Sequence, residues 1–183
     1  NSNIFESSTT YELKIKDSTL QDMNFKIQDA KLEKLFHMLN EPVYATGNLN
    51  IDGDIKNAKI ETLNGLINTK ITEGKIINEV VNTVFKQEIK DIVTFDLNVD
   101  TSLVPNQAVS KASLNTNLLD LNINQAVFDF NEASLNSDYL VKIASLTNLV
   151  DFTKTKLRGA MDISGNIQSK ENSLIVDGKS SIL

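Results

Sequence analysis

Gly47-Asn48-Leu49-Asn50-Ile51-Asp52-Gly53-Asp54-Ile55 places apolar side chains at Leu49, Ile51 and Ile55, with polar residues or glycine at the positions between them. Alternation with a period of two is the mark of a strand with one buried face. The pattern returns as Gly159-Ala160-Met161-Asp162-Ile163-Ser164-Gly165-Asn166-Ile167, with both glycines and all three apolar places kept. Gly53 and Gly165 fall on the apolar side of their runs, which predicts a bulge or the close approach of a neighbouring strand.

Working outward, Tyr11, Leu13 and Ile15 alternate as one strand and Met23, Phe25 and Ile27 as a second, across the turn Asp17-Ser18-Thr19. The period then changes. Leu32, Leu35, Phe36 and Leu39 share one helical stripe, so a short helix is expected over 31–39, ended by Asn40-Glu41-Pro42. Beyond the glycine strand, Leu63, Gly65, Ile67, Thr69 and Ile71 alternate until Glu73-Gly74, where the run is expected to break. Ile77, Val80, Val81, Val84 and Phe85 predict a second helix over 76–89 that crosses the sheet or caps its end. A strand over 93–101 and the turn Pro105-Asn106-Gln107 follow, then four short strands over 112–118, 119–123, 126–130 and 139–143.

The last part of the chain repeats an earlier order. Lys142-Ile143 with Ala144, Leu146, Leu149 and Val150 stand as Lys26-Ile27 with Ala30, Leu32, Leu35 and Phe36 do. The second glycine strand and the run Leu174, Val176, Gly178, Ser180 and Ile182 complete the unit. The expected fold is mainly β with two or three short helices, an antiparallel meander curled into an open groove or a sandwich and built from two related repeat units. The first unit covers 1–75 with helix 31–39, and helix 76–89 plus the second unit cover 76–183, as one continuous body. The chain opens without methionine and reaches Leu183 in mid-pattern, so it is expected to be cut from a longer array.

Composition narrows the chemistry. Net charge is −6 over 183 residues and Arg158 is the only arginine, so the basic surface that a phosphate backbone requires is missing and nucleic acid is not an expected partner. The absence of cysteine excludes disulfides, thiolate metal sites and cysteine nucleophiles. No apolar run approaches the ~18 residues of a membrane span, and Asn1-Ser2-Asn3-Ile4-Phe5 has neither the basic nor the apolar region of a signal peptide.

Candidate sites are few. Asn48-Leu49-Asn50-Ile51-Asp52-Gly53-Asp54 matches the first half of a calcium-binding EF loop, but its twelfth position, where a bidentate glutamate is needed, is Lys59. The strand reading is preferred there. His37 is the only histidine, lies off the apolar stripe and has no serine in a nucleophile elbow to serve. Glu79, Glu88 and Asp91 stand among lysines as a solvated face. No catalytic residue, metal site or cofactor is expected, and the chain is not read as an enzyme. The apolar ladder Leu49, Ile51, Ile55, Leu97, Val99, Leu121, Ile123, Met161, Ile163 and Ile167 is either the core of a sandwich or the lining of a groove for acyl chains or a partner.

The order of short apolar helix, loop, Gly-x-Leu-x-Ile-x-Gly-x-Ile and a second glycine-bearing strand resembles the C-terminal region of the AsmA/TamB-like bacterial envelope proteins. Residues 32–39, 47–55 and 63–72 carry the likeness in the first copy, and 139–150, 157–167 and 174–182 in the second. The resemblance implies a periplasmic segment of a protein anchored in the inner membrane by a helix outside this chain. Its repeated strands would form a groove that holds or guides phospholipid in outer-membrane lipid transport or homeostasis. Its partners would then be phospholipid and neighbouring repeats of the full-length chain, with membrane contact only through segments outside this one. The other reading is a structural or interaction β-sandwich, such as an adhesin or scaffold domain.

Overall fold

The alternating runs all lie in strands, and each strand pairs with the next. A computed structural model describes residues 2–4, 7–17, 19–170 and 173–182. Asn1, Phe5, Ser18 and Leu183, which figure in the sequence reading, lie outside the described residues. The strands are β1 (Ser2–Ile4), β2 (Ser7–Lys16), β3 (Thr19–Lys31), β4 (Ala45–Lys56), β5 (Asn64–Ile76), β6 (Thr94–Val104), β7 (Gln107–Thr116), β8 (Asp120–Asp129), β9 (Ser134–Ile143), β10 (Met161–Lys170) and β11 (Ser173–Ile182). They form one antiparallel sheet in strict chain order, ten long strands with the three-residue β1 at one edge. β11 is the other edge, and no pairing joins the two, so the sheet is an open meander. The sheet runs without interruption from β5 to β6, across the expected division at 75/76.

Three short helices, α1 (Leu32–Met38), α2 (Asn78–Phe85) and α3 (Val150–Thr153), occupy the connections β3–β4, β5–β6 and β9–β10. In a meander these connections all leave the same end of the sheet. α1 lies where its spacing predicted, and Leu32, Leu35 and Phe36 pack onto Leu49, Ile71 and Leu97. α2 is shorter than the expected 76–89. Lys86 adopts the left-handed conformation and ends it, and the Asn82 side chain then bonds both backbone groups of Ile89, accepting from its N–H at 2.8 Å and donating to its carbonyl at 2.9 Å. The chain is thereby folded back, and Ile89 is buried.

Further strand boundaries differ from the sequence reading: β7 begins at Gln107, expected in a turn, and β9 at Ser134. β5 continues through Glu73-Gly74 to Ile76, because Glu73 takes a positive φ as part of a bulge against β6 and its N–H is received by the Asp96 carboxylate at 3.1 Å. The segments 119–123 and 126–130 are one strand, β8, in which a bulge at Asn124-Gln125 shifts the register. That extra residue moves the apolar set from odd to even positions while keeping Ile123 and Ala126 on the same face.

At both glycine strands an aromatic ring from the preceding strand lies across the second glycine. Phe25 pairs with Gly53, and a Cβ at Gly53 would run into the Phe25 ring. Tyr139 pairs with Gly165 and donates its hydroxyl proton to the Asp177 carbonyl at 3.2 Å, passing over Gly178. A Cβ at Gly165 would run into that same Asp177 carbonyl oxygen. The two obstacles differ in kind, since a ring can swing aside and a ladder carbonyl cannot. Gly165→Ala is expected to lower stability by roughly 1–3 kcal/mol and Gly53→Ala by less, measured by urea unfolding. Phe25→Ala should offset the Gly53→Ala loss in a double-mutant cycle, and no single side-chain truncation should do so at Gly165.

Candidate functional site

The register decides which side chains share a face. Leu49, Ile71, Leu97, Leu114, Leu121, Val141 and Ile163 stand directly opposite one another from β4 to β10. The next row is Ile51, Thr69, Val99, Ala112, Ile123, Tyr139 and Gly165, and the one after it Gly53, Ile67, Thr101, Ser110, Ala126, Ser137 and Ile167. A fourth runs Ile55, Gly65, Leu103, Ala108, Phe128 and Leu135. Met161 stands one place beyond Ile163 on the same side, opposite Ile143. All ten residues of the sequence-derived ladder therefore lie on a single face. Alternation in β5, β7 and β9 carries the same signal, and Ile67, Ile71, Leu114 and Val141, absent from that ladder, belong to the same surface.

The two ends of this face are covered and its middle is not. At the helical end α1 packs on β3 and β4, in one apolar cluster with Ile71 of β5 and Leu97 of β6. At the opposite end Leu63, from the connection between β4 and β5, packs with Ile55 and Leu103, and Phe130, beyond β8, packs against them. Between these seals Leu49 and Ile55 are buried, while Ile51, Leu97, Val99, Leu121, Ile123, Met161, Ile163 and Ile167 are half-buried. No large side chain among the described residues is fully buried. The chain exposes 11673 Å², against about 8,800 Å² for a compact protein of its mass. The excess is what a single-layer sheet with two open edges exposes, and among the described residues there is no second sheet.

The floor is also narrow in side-chain volume. Thr101, Ser110, Ala112, Ala126 and Ser137 are small, with the Thr101 and Ser110 hydroxyls hydrogen-bonded at 2.8 Å. Val99, Ile123 and Tyr139 on one side and Leu103, Phe128 and Leu135 on the other are the larger residues of the adjoining rows. From β4 to β10 the trough spans six inter-strand steps, about 29 Å.

The reverse face is mainly polar, with Leu66, Val109, Val127 and Leu140 among its apolar exceptions. The Lys31 ammonium donates to the Asn48 carbonyl oxygen and the Asn48 amide donates to Glu73, both at 2.8 Å. Lys26 pairs with Asp52 at 3.4 Å, and the Asn166 amide donates to both Asn136 and Asp138. Asp52 and Asp54, the acidic half of the EF-loop resemblance, thus point away from the trough into ion pairs with Lys26 and Lys56. His37 is exposed in the last turn of α1, and Glu79, Glu88 and Asp91 are exposed as well. Among the described residues no group of three His, Asp or Glu side chains is placed to hold a metal ion.

The helical connections are tied into one rim. Phe36 meets Tyr44 edge-on at 5.7 Å, and Tyr44 meets Phe85 of α2 at 6.0 Å. Glu88 pairs with Lys154 at 3.2 Å. The Asp151 carboxylate of α3 receives the backbone N–H groups of Lys90 at 2.6 Å and Asp91 at 3.1 Å. Those two bonds, led by the one from Lys90, hold the Asp151 carboxyl below the usual carboxylate range. This lowered value favours the fold above the unfolded pKa of about 3.9, and the contribution disappears as pH falls through the folded value. Protection of the Lys90 and Asp91 amides from hydrogen exchange, relative to their intrinsic exchange rates, is accordingly expected to fall as pH drops through the lowered folded value, and Asp151→Ala should reduce it at neutral pH.

No protein-family model, curated protein or solved structure matches this chain.

Proposed function

We propose that this protein is a non-enzymatic lipid-handling segment, whose apolar trough holds or guides the acyl chains of phospholipid. The observation that carries this reading is the apolar face that continues from β4 to β10 with no covering sheet, closed at its strand ends over β4 to β6. An apolar surface of that extent stays in water only if something apolar visits it. Length supports an acyl chain as the visitor. The trough spans about 29 Å, whereas one leaflet of a bilayer is about half of a ~30 Å hydrocarbon core, so a whole chain lies within it with room to move along. The floor of small residues leaves space for a narrow occupant.

Binding needs no reacting side chain. Each methylene withdrawn from water contributes about 0.8 kcal/mol, and the absence of deep, shape-specific subsites suits a conduit better than a selective receptor. The resemblance to the AsmA/TamB-like proteins points the same way and adds the context: a periplasmic body of related repeat units, anchored to the inner membrane through a helix outside this chain. No described helix is long and apolar enough to cross a membrane. The sandwich alternative requires a covering sheet, and nothing among the described residues supplies it.

Native mass spectrometry of the chain purified after exposure to phospholipid vesicles tests the reading. Bound phospholipid is expected, and Ile51→Glu or Ile163→Glu should remove most of it while leaving the far-ultraviolet circular dichroism unchanged. Protein that stays lipid-free, or variants that unfold instead of losing lipid, would refute it.

A further inference from the structure

The two ends of the sheet differ in what their connections expose. At the helical end Met38 and Leu39 are exposed at the exit of α1, Val84 and Phe85 at the tip of α2, and Phe152 and Leu157 in and after α3. Among the described residues, the turns at the opposite end expose one large apolar side chain, Ile60. Each helical connection lies between two described strands. Two of them form a single patch. The Asp151 carboxylate receives the N–H groups of Lys90 and Asp91, and Glu88 pairs with Lys154, so the stretch after α2 lies against α3. The loop after α3 is pinned in turn, because the Thr147 hydroxyl donates to the Leu157 carbonyl at 3.1 Å and the Leu146 N–H to the Gly159 carbonyl at 2.9 Å.

Charge sets this patch apart. Residues 84–92 and 150–158 carry five cations, Lys86, Lys90, Lys154, Lys156 and Arg158, against the three carboxylates Glu88, Asp91 and Asp151, a net +2 in a chain of net −6. Glu88 is taken up by Lys154 and Asp151 by two amides, whereas Lys86, Lys90, Lys156 and Arg158 are exposed and make no ion pair among the described residues. The free cations stand beside the exposed apolar groups, as Phe85-Lys86 and as Lys156-Leu157-Arg158. Long cationic side chains lay their stems along apolar surface and keep their heads in water. That mixture suits the boundary between anionic headgroups and acyl chains. The core of a protein interface is instead depleted in lysine.

We propose that the tip of α2 and the loop after α3 dock this chain onto a bilayer that contains anionic phospholipid. Val84, Phe85, Phe152 and Leu157 enter the headgroup boundary, and Lys86, Lys90, Lys156 and Arg158 pair with lipid phosphates. The resemblance to envelope proteins implies membrane contact only through segments outside this chain, and the patch supplies one within it. Arg158 lies just ahead of Met161, the residue of the apolar ladder nearest the helical end of β10. Docking therefore brings that end of the trough up to lipid. It rests on the connections and not on what the trough holds, and stands or falls separately from the lipid-holding reading.

The chain contains no tryptophan, so a single introduced one reports its own surroundings. With phosphatidylglycerol vesicles, Phe85→Trp and Phe152→Trp are expected to shift their emission to shorter wavelength and to be quenched by brominated acyl chains. Ile60→Trp, at the opposite end of the sheet, should show neither effect. The shift should weaken with salt and be small with phosphatidylcholine vesicles. Combined with Phe85→Trp, the pair Lys156→Glu and Arg158→Glu should weaken vesicle binding by at least about tenfold, and the milder pair Lys156→Gln and Arg158→Gln by less. Emission that no vesicle changes, equal shifts with both lipids, an equal response from Ile60→Trp, or binding that both charge pairs leave intact would overturn the proposal. Phospholipid held by the chain in native mass spectrometry while Phe85→Trp keeps its emission would retain the lipid reading and overturn this one. Docking by a chain that retains no phospholipid would do the reverse.

Discussion

Strand register is the constraint on which everything else in this molecule depends. The side-chain period of a strand is two, so a slip by one residue transfers a whole apolar set to the other face. Here the strands pair in series, and a slip at one place would invert every strand after it. The bulges are placed so that this does not happen. At Asn124-Gln125 the sequence itself changes phase, and the bulge absorbs the change. In the first half, Asp29 and Glu73 take positive φ inside β3 and β5, and the N–H of each is received by a side chain of the next strand, Asn50 in one case and Asp96 in the other. A bulge leaves a backbone donor outside the ladder. Receiving it on an Asn or Asp oxygen fixes where the extra residue sits, and so fixes the register beyond.

Much of this was legible and some was not, for physical reasons that differ by element. Alternation at Leu49, Ile51 and Ile55 or at Leu97 and Val99 reports directly which side of a strand is apolar, so the strands, their order and the shared face could be read. Helix 32–38 was legible because Leu32, Leu35 and Phe36 follow a period that no strand has. The end of α2 was not, since its apolar stripe continues to Ile89, while the left-handed Lys86 and the bonds from the Asn82 side chain to the Ile89 backbone turn the chain. β8 was divided in two because a change of phase in one strand looks the same in sequence as a turn between two. The openness of the face was beyond reach altogether. Alternation states which side avoids water and carries no information about what covers it.

The glycines show how a local rule acquires a tertiary meaning. Gly53 and Gly165 interrupt apolar ladders, which taken alone would weaken their strands. Each gap is filled from the neighbouring strand, by Phe25 in one case and Tyr139 in the other. The ring restores apolar contact where the glycine gives none, and it lies flat along the sheet instead of standing up from it. An Ile at either position would project into the trough. Glycine and aromatic together therefore keep the floor smooth while keeping it apolar.

The distribution of side-chain size along each strand separates a trough from an unfinished core. A face meant to receive a second sheet carries its bulk where the two sheets meet, in the middle of the strands, because interior packing tolerates few voids. In β6 to β9 that middle is mixed. Val99, Ile123 and Tyr139 give bulk there, while Ala112 and the adjoining row of Thr101, Ser110, Ala126 and Ser137 are small, with Leu97, Leu114, Leu121 and Val141 toward the helical end and Leu103, Phe128 and Leu135 toward the other. Ser137 is only 4% exposed, and its hydroxyl finds no partner among the described residues. A flat sheet packed on this surface would leave a void over the row of small residues, whereas a slender, flexible apolar body can settle along that row.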